Sequence, residues 1–456
     1  MKIRPSEPPD LKVIDDGLKD FQRKTVRKVF NTLYQKKYGS RRFLVADEVG
    51  LGKTMVARGV IAKAIHEMWD TVKRIDIIYI CSNADIARQN IKRLNVMPDV
   101  NVSASRRITL LPIDIHALRN NKVNFVALTP GTSLELKSSM GTQTERKLLY
   151  WLLKDVWSFK GASPKNLFQG GVIDPGRWRE SLKRFPDKYN IDRRMAREFV
   201  KAVKKRCREQ NSRSEDSLHE RCKVLLTAYR RPGKKTRDVR HNRSSLIGEL
   251  RVLLAEVCIE ALEPDIVILD EFQRFKSLMD SDSDISFLAD KLFAYSDEHT
   301  EVRTILLSAT PYKMYALAEE DSEGDHYQDF IGTLRFLFDD QRKTDEFAKL
   351  LKDFRLELLR SGSARFDRLE ELKSKIETRL RKVMVRTEKL ASSVDRAGML
   401  KEKIAEGMQL QSRDVLAYYE LQQVTRQLDM PDTVEYWKSS SYLLNLMEDY
   451  KLKREF

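Results

Sequence analysis

Gly50, Leu51, Gly52, Lys53 and Thr54 follow directly on the apolar run "RFLVA" at 42–46 and precede a helix-period segment. Glycines at such a junction permit a tight turn and close approach. Backbone N–H groups and the amino end of the following helix can then surround an anion. In a loop of this kind Lys53 would reach the β- and γ-phosphates of a nucleotide, and the Thr54 hydroxyl would ligate Mg²⁺. The usual pattern, G-x-x-x-x-G-K-[ST], wants glycine where this chain has Asp47.

Two further clusters make the loop more specific. Asp270 and Glu271 end the apolar run "DIVILDEF" at 265–272. A metal on bound phosphates needs an acidic partner and the attacking water needs a base. Asp270 would hold Mg²⁺ through water, and Glu271 would orient and deprotonate the nucleophile. Ser308, Ala309 and Thr310 end the next apolar run, "TILLSATP" at 304–311. That triplet says little alone, but the order GKT, DE, SAT, each at the end of an expected strand, is hard to obtain by chance.

The elements that must hold these clusters are short apolar runs separated by helix-period segments. Besides the three runs above, "IDIIYICS" at 75–82, "ITLLPI" at 108–113 and "NFVALTP" at 124–130 read as strands. Nearly continuous apolar strands alternating with amphipathic helices predict an α/β domain with a doubly wound parallel sheet. Ligands of such a sheet sit at the carboxyl ends of its strands.

Residues 1–132 and 263–313 are read as one discontinuous sheet domain. Residues 133–262 form a large basic helical insertion, with helices expected in "TERKLLYWLLKDVW", "RRMAREFVKAVKKRCREQ" and "SSLIGELRVLLAEVCIEAL". A helical C-terminal extension occupies 314–456. Its last stretch, "VEYWKSSSYLLNLMEDYKLK", reads as an amphipathic helix suited to core packing or to docking on a partner.

Net charge is +16, and residues 177–251 alone carry 24 Lys and Arg against 10 Asp and Glu. Excess charge concentrated in one segment points to a polyanionic partner, with Lys204, Lys205, Arg206, Arg230, Arg231, Lys234 and Lys235 as candidate nucleic-acid contacts. The alternative to a nucleic-acid role for this basic segment is a set of solvated helix faces, with "NSRSEDS" a linker and "YRRPGKKTRDVRHNR" simply an exposed loop. The four cysteines include no C-x-x-C pair, which suits a reducing compartment. Cys207, His219, Cys222 and His241 lack the close pairs of a zinc site and are read as structural. No segment approaches the ~20 apolar residues of a membrane span, so a cytoplasmic protein with no membrane partner is expected.

The chain resembles the first motor lobe of superfamily 2 helicases and translocases, most closely the Swi/Snf-like branch. That branch writes its phosphate loop D-E-x-G-L-G-K-T, which "DEVGLGKT" at 47–54 matches, Asp47 included. "LKDFQ", ending at Gln22, resembles the segment whose glutamine recognises adenine in such motors. The resemblance implies a RecA-like lobe that binds ATP with Mg²⁺ at Gln22, Gly50, Leu51, Gly52, Lys53 and Thr54, with Ser308, Ala309 and Thr310 coupling the site to motion. It implies nucleic-acid contacts at Ser82, Asn83, Thr129 and Gly131. "LRKVMVRTEKL" at 380–390 resembles the segment after the first lobe, with Arg386 where two adjacent arginines are usual. Duplex DNA is favoured over RNA through this resemblance alone.

Departures narrow the reading. The acidic motif is D-E-F-Q, and SAT stands where Swi/Snf-like motors more often carry T-G-T. No Q-x-x-G-R-x-x-R segment is present to supply the second lobe's arginines; "QQVTRQLD" lacks the glycine and the second arginine. The expectation is therefore the ATP-binding half of a DNA translocase or helicase-like motor, completed by a second lobe in a longer chain or in another subunit. A nucleic-acid-binding module with a regulatory ATP site is the alternative, and a kinase-like phosphate-loop enzyme a more distant one.

Overall fold

The structure is a computed structural model that describes residues 7–35, 39–97, 107–134, 136, 140–172, 174–231, 233–272, 284–296, 301–308, 323–360, 366–388 and 411–427. Strands form where apolar residues fill both faces of the chain. They are β1 (Arg42–Val45), β2 (Ile75–Ile80), β3 (Val123–Leu128), β4 (Ile266–Asp270), β5 (Arg303–Leu307) and β6 (Met384–Val385). The six make one sheet in the order β3-β2-β4-β5-β1-β6, with every adjacent pair parallel. β2 and β3 are buried at every position, as expected of a sheet covered on both sides.

Register decides what the sheet can position. Val45 of β1 lies opposite Leu307 of β5, and Leu307 lies opposite Asp270 of β4. Three strands thus finish level, with β5 between the other two. Neighbouring strands are about 4.8 Å apart, so the ends of β1 and β4 stand about 10 Å from each other.

One face of the sheet carries α1 (Leu11–Asp16), α2 (Asp20–Phe30), α3 (Lys53–Met68) and α4 (Ala84–Leu94). Val26, Val29, Val56, Val60, Ile61 and Ile91 from these helices share one core with Phe43, Ile77, Phe125, Ile268 and Ile305 of the strands. α2 and α3 approach closely at Gly59, where a Cβ would meet the Val26 side chain at 2.7 Å.

"ITLLPI" is not a strand. Residues Ile108–Leu110 form one 3₁₀ turn and run into α5 (Leu111–Arg119), with Pro112 in its first turn. Proline cannot donate to a sheet ladder but suits the start of a helix, and Leu111, Ile115 and Leu118 turn one buried face inward. The edge position in the sheet goes instead to β6, drawn from the C-terminal helical segment.

Between β3 and β4 lie α6 (Pro130–Ser133), α7 (Gln143–Leu153), α8 (Ser163–Gln169), α9 (Pro175–Lys183), α10 (Phe185–Lys188), α11 (Arg193–Ser212), α12 (Leu218–Ala228) and α13 (Arg237–Leu262). The expected basic loop is helical in its second half, since Thr236 caps α13 by accepting from Val239 N. A buried ion pair ties the insertion together: Glu145 Oε1 accepts from Arg251 Nε and Nη2 at 3.0 and 2.9 Å and from Thr109 Oγ1 at 2.7 Å. Burial raises the Glu145 pKa, but Arg251, the Thr142 amide and Thr109 outweigh it and the net shift is downward.

α14 (Asp284–Phe293) connects β4 to β5, and α15 (Glu323–Phe338), α16 (Gln341–Arg360) and α17 (Phe366–Leu380) precede β6. The chain separates into two compact units, residues 1–311 with 331–388 and residues 312–330 with 389–456. Sheet and insertion belong to the first; α18 (Ser412–Gln427) belongs to the second. The expected helix over "VEYWKSSSYLLNLMEDYKLK" lies outside the described residues. Among the described residues no helix is long and apolar enough to cross a membrane.

Candidate nucleotide site

The loop between β1 and α3 is shaped by two glycines in the left-handed region, Gly50 at φ 87° and Gly52 at φ 78°. Gly52 is the N-cap of α3 and so supplies no side-chain acceptor to the N–H groups of that helix's first turn. A side chain at Gly52 would also collide with Gln22, whose Nε2 lies 2.6 Å from the position of a Cβ. Gln22 is buried and seats the loop: its Nε2 donates to Leu51 O at 2.8 Å, and its Oε1 accepts from Lys19 N at 2.9 Å.

Lys53 Nζ donates to the carbonyls of Asp47 at 3.0 Å and Glu48 at 3.4 Å, so the ammonium lies over the loop itself. Burial lowers its pKa, opposed by the charges of Asp47, Asp270 and Glu271. Lysine and strand-end acids therefore share one electrostatic environment. Thr54 is half-buried in the first turn of α3.

Asp47 is fully buried. Its Oδ1 accepts from Thr387 N at 2.8 Å, and Glu48 N donates to Thr387 O at 3.1 Å, extending the pairing of β1 with β6 into the loop. Its Oδ2 is buried with no hydrogen-bond partner among the described residues. Burial raises the Asp47 pKa, with the Thr387 bond and Lys53 acting against it. The residue that departs from the common phosphate-loop pattern is thus a latch to the segment after α17.

Asp270 is held by two residues absent from the sequence expectations. Tyr79 Oη, from β2, donates to Asp270 Oδ2 in a short hydrogen bond. Asn90 Nδ2, from α4, reaches the same oxygen at 3.3 Å and Tyr79 Oη at 2.8 Å. Burial, with the adjacent Asp270 charge, keeps the Tyr79 phenol protonated far above neutrality. The one sequence signal for Tyr79 is a polar tip near the carboxyl end of a strand whose other polar residue, Asp76, lies at its start. Glu271 follows in the left-handed region at φ 52°, a conformation costing a non-glycine residue about 1–2 kcal/mol.

Ser308 is buried beyond β5, its N–H donating to Val45 O at 3.1 Å, midway between the loop and the acids. Ala309 and Thr310 lie outside the described residues. Ser82 and Asn83 follow β2 on the same edge, and Thr129 and Gly131 follow β3. The Asn83 side chain caps α4, its Oδ1 accepting from Asp85 N at 2.7 Å and Ile86 N at 3.4 Å.

The basic candidates divide. Arg206 pairs with Glu249 at 3.6 Å and Glu209 at 3.8 Å, and Lys205 stands 3.9 Å from Glu209. Lys235 donates to Arg231 O at 3.0 Å. Lys204, Arg230, Arg231 and Lys234 are exposed. The fold and the site define a class: an α/β protein whose glycine loop, acidic strand end and buried serine share one edge of a six-stranded parallel sheet. No protein-family model matches the chain, and no curated protein matches it in sequence.

Proposed function

We propose that this chain is the ATP-binding half of a nucleic-acid-dependent ATPase, a DNA translocase or helicase-like motor built on a RecA-like lobe. One observation carries the reading: β1, β5 and β4 end level, so Lys53, Ser308 and the Asp270–Glu271 pair converge from adjacent strand ends. The two left-handed glycines, the first turn of α3 behind its glycine N-cap and a lysine poised over the loop fit a nucleotide's phosphates.

In this role Lys53 swings from the loop carbonyls to the β- and γ-phosphates. Thr54 and Asp270 would hold Mg²⁺, which when bound would supply positive charge beside the phosphates. Glu271 orients the attacking water and takes its proton. Tyr79 and Asn90 keep the Asp270 carboxylate in one orientation. The second lobe supplies arginines, and the basic insertion supplies contacts to nucleic acid.

The test is ATP–Mg²⁺ binding and turnover by the full chain and by Lys53→Ala. Wild type binds ATP and turns over slowly, and the substitution weakens binding at least about tenfold through loss of charge-assisted bonds. Adding a second lobe with its arginines raises turnover by about 10³ to 10⁵. Equal ATP affinity in wild type and Lys53→Ala refutes the reading.

A further inference from the structure

Within the insertion, α7, α9 and α10 border a half-open cleft of about 370 Å³ walled by Thr144, Lys147, Arg177, Ser181, Lys188 and Tyr189. A second cleft of about 530 Å³ shares Lys147, Arg177 and Ser181, so these three side chains stand between the two spaces.

Cations dominate the walls. Of the carboxylates there, Glu180 is engaged by Arg184 at 2.5 Å, and Asp174 caps α9 by accepting from Arg177 N at 3.0 Å. Among the described residues Lys147, Arg177 and Lys188 have no ion-pair partner. Behind them Arg146 is buried with carbonyl acceptors only, at Phe168 (2.9 Å), Gly141 (2.6 Å), Met140 (3.4 Å) and Gln169 (3.2 Å). Lys147 lies over the Trp178 ring, 5.3 Å from its centroid. Burial, Lys188 and Arg146 all lower its pKa. Exposed Arg177 and Lys188 converge with the half-buried Lys147 on this space, where a bound anion would relieve their mutual repulsion.

Size and shape select the anion. A cleft of this volume takes a mononucleotide-sized group, whereas a duplex cannot enter. Tyr189, its ring 4.8 Å from that of Phe185, provides an apolar wall for a sugar or base. We propose that this cleft is a second phosphate site, in which Lys147, Arg177 and Lys188 bind the terminal phosphate of a nucleic-acid strand. The choice of a strand end rests on the nucleic-acid reading above; the anion chemistry does not.

The experiment uses the full chain in a Lys53→Ala background, which weakens binding at the glycine loop, and any binding left there is unaffected by changes at Lys147 and Arg177. Single-stranded oligonucleotides of one sequence with a 5′-phosphate, a 3′-phosphate or hydroxyl ends are compared by fluorescence anisotropy, and AMP and pyrophosphate by calorimetry. One phosphorylated end is expected to bind about tenfold tighter or more, an advantage that disappears in Lys147→Gln and in Arg177→Gln. Arg177 is exposed on α9, so its variant keeps the fold, checked by circular dichroism. If strand ends are not distinguished but AMP or pyrophosphate binds and is weakened by both substitutions, the site stands and its ligand is a free nucleotide. Indifference to end chemistry, with AMP and pyrophosphate unaffected by both substitutions, overturns the site. ATP binding by the wild-type chain is a separate readout, so failure here leaves the motor reading untouched.

Discussion

Tyr79 joins Asp270 to the sheet at the level of a single hydroxyl. The phenol is buried, its proton committed to Asp270 Oδ2, and Asn90 donates to both. Tyr79→Phe keeps the ring and removes one charge-assisted donor. Stability should fall by about 1–3 kcal/mol, and ATP turnover should fall more than ATP affinity, because Asp270 loses a constraint on its orientation. Unchanged turnover at full ATP saturation would show that the hydroxyl serves packing alone. At the opposite ends of the strands Asp76 is fully buried between Arg74 Nε at 2.7 Å and Asn124 Nδ2 at 2.7 Å. Burial lifts its pKa to about 6, with Arg74 and Asn124 opposing. The folded state then holds more protons than the unfolded state between about pH 4 and pH 6. Asp76's contribution to stability therefore declines as pH rises through that window. Asp76→Asn removes the slope: the unfolding free energy of wild type relative to the variant should drop by up to about 3 kcal/mol from pH 4 to pH 7. Parallel stability curves in denaturant across that range would contradict the assignment.

At the scale of elements, the glycine loop between β1 and α3 is braced from two directions. Gln22 of α2 holds Leu51, and Asp47 holds Thr387 beyond β6. Gly52→Ala meets both a left-handed backbone and the Gln22 amide at 2.6 Å. It should destabilise by about 1–2 kcal/mol from the backbone alone, with a further loss that Gln22→Ala relieves, so the double variant is less destabilised than the sum. Additive losses would place Gln22 outside the clash. Asp47→Gly restores the commoner loop residue but deletes the acceptor for Thr387 N. Hydrogen exchange of the Thr387 amide should accelerate by about tenfold, matching about 1–1.5 kcal/mol for a lost bond. Unchanged protection there would mean that the latch contributes nothing. These braces explain what the sequence could and could not reveal. Strand, glycine loop and helix were legible because periodicity and glycine spacing are local signals. "ITLLPI" misled because apolarity alone does not tell a strand from a buried helix start, and Pro112 was the discriminating residue. β6 escaped notice because a two-residue strand between helix-period segments leaves no pattern. The Tyr79–Asn90–Asp270 cluster was invisible because its members meet only once three separate elements have packed.

For the whole molecule the governing quantity is where the positive charge lies. Net charge is +16, and some cations are neutralised locally, Arg251 by Glu145 in the interior and the half-buried Arg221 by Glu249 at 2.6 Å, which leaves the excess on other side chains. What remains outward is organised by α11, a helix of 20 residues. Arg193, Arg197, Lys201, Lys204 and Arg208 recur three or four residues apart and are exposed, forming one stripe along its surface. At 1.5 Å per residue the stripe runs about 22 Å, long enough to follow a nucleic-acid backbone past several phosphates. Lys201 is drawn toward Glu198 at 2.9 Å, while Arg197 and Arg208 bond back to the helix carbonyls of Arg193 and Lys204 at 3.3 and 3.4 Å. If α11 lies along the backbone of duplex DNA, the logarithm of affinity falls linearly with the logarithm of salt concentration. Each phosphate contact contributes about 0.9 to the slope. Lys204→Gln with Arg208→Gln should then flatten the slope by about 2 and weaken binding to every duplex sequence alike, because phosphates carry no sequence information. The corresponding change at Arg230 and Arg231, beyond the end of α12, tests whether the footprint extends past the stripe. A salt slope unchanged by the α11 pair but flattened by the Arg230–Arg231 pair would move the interface off that helix, and a slope altered by neither would place it outside the basic insertion.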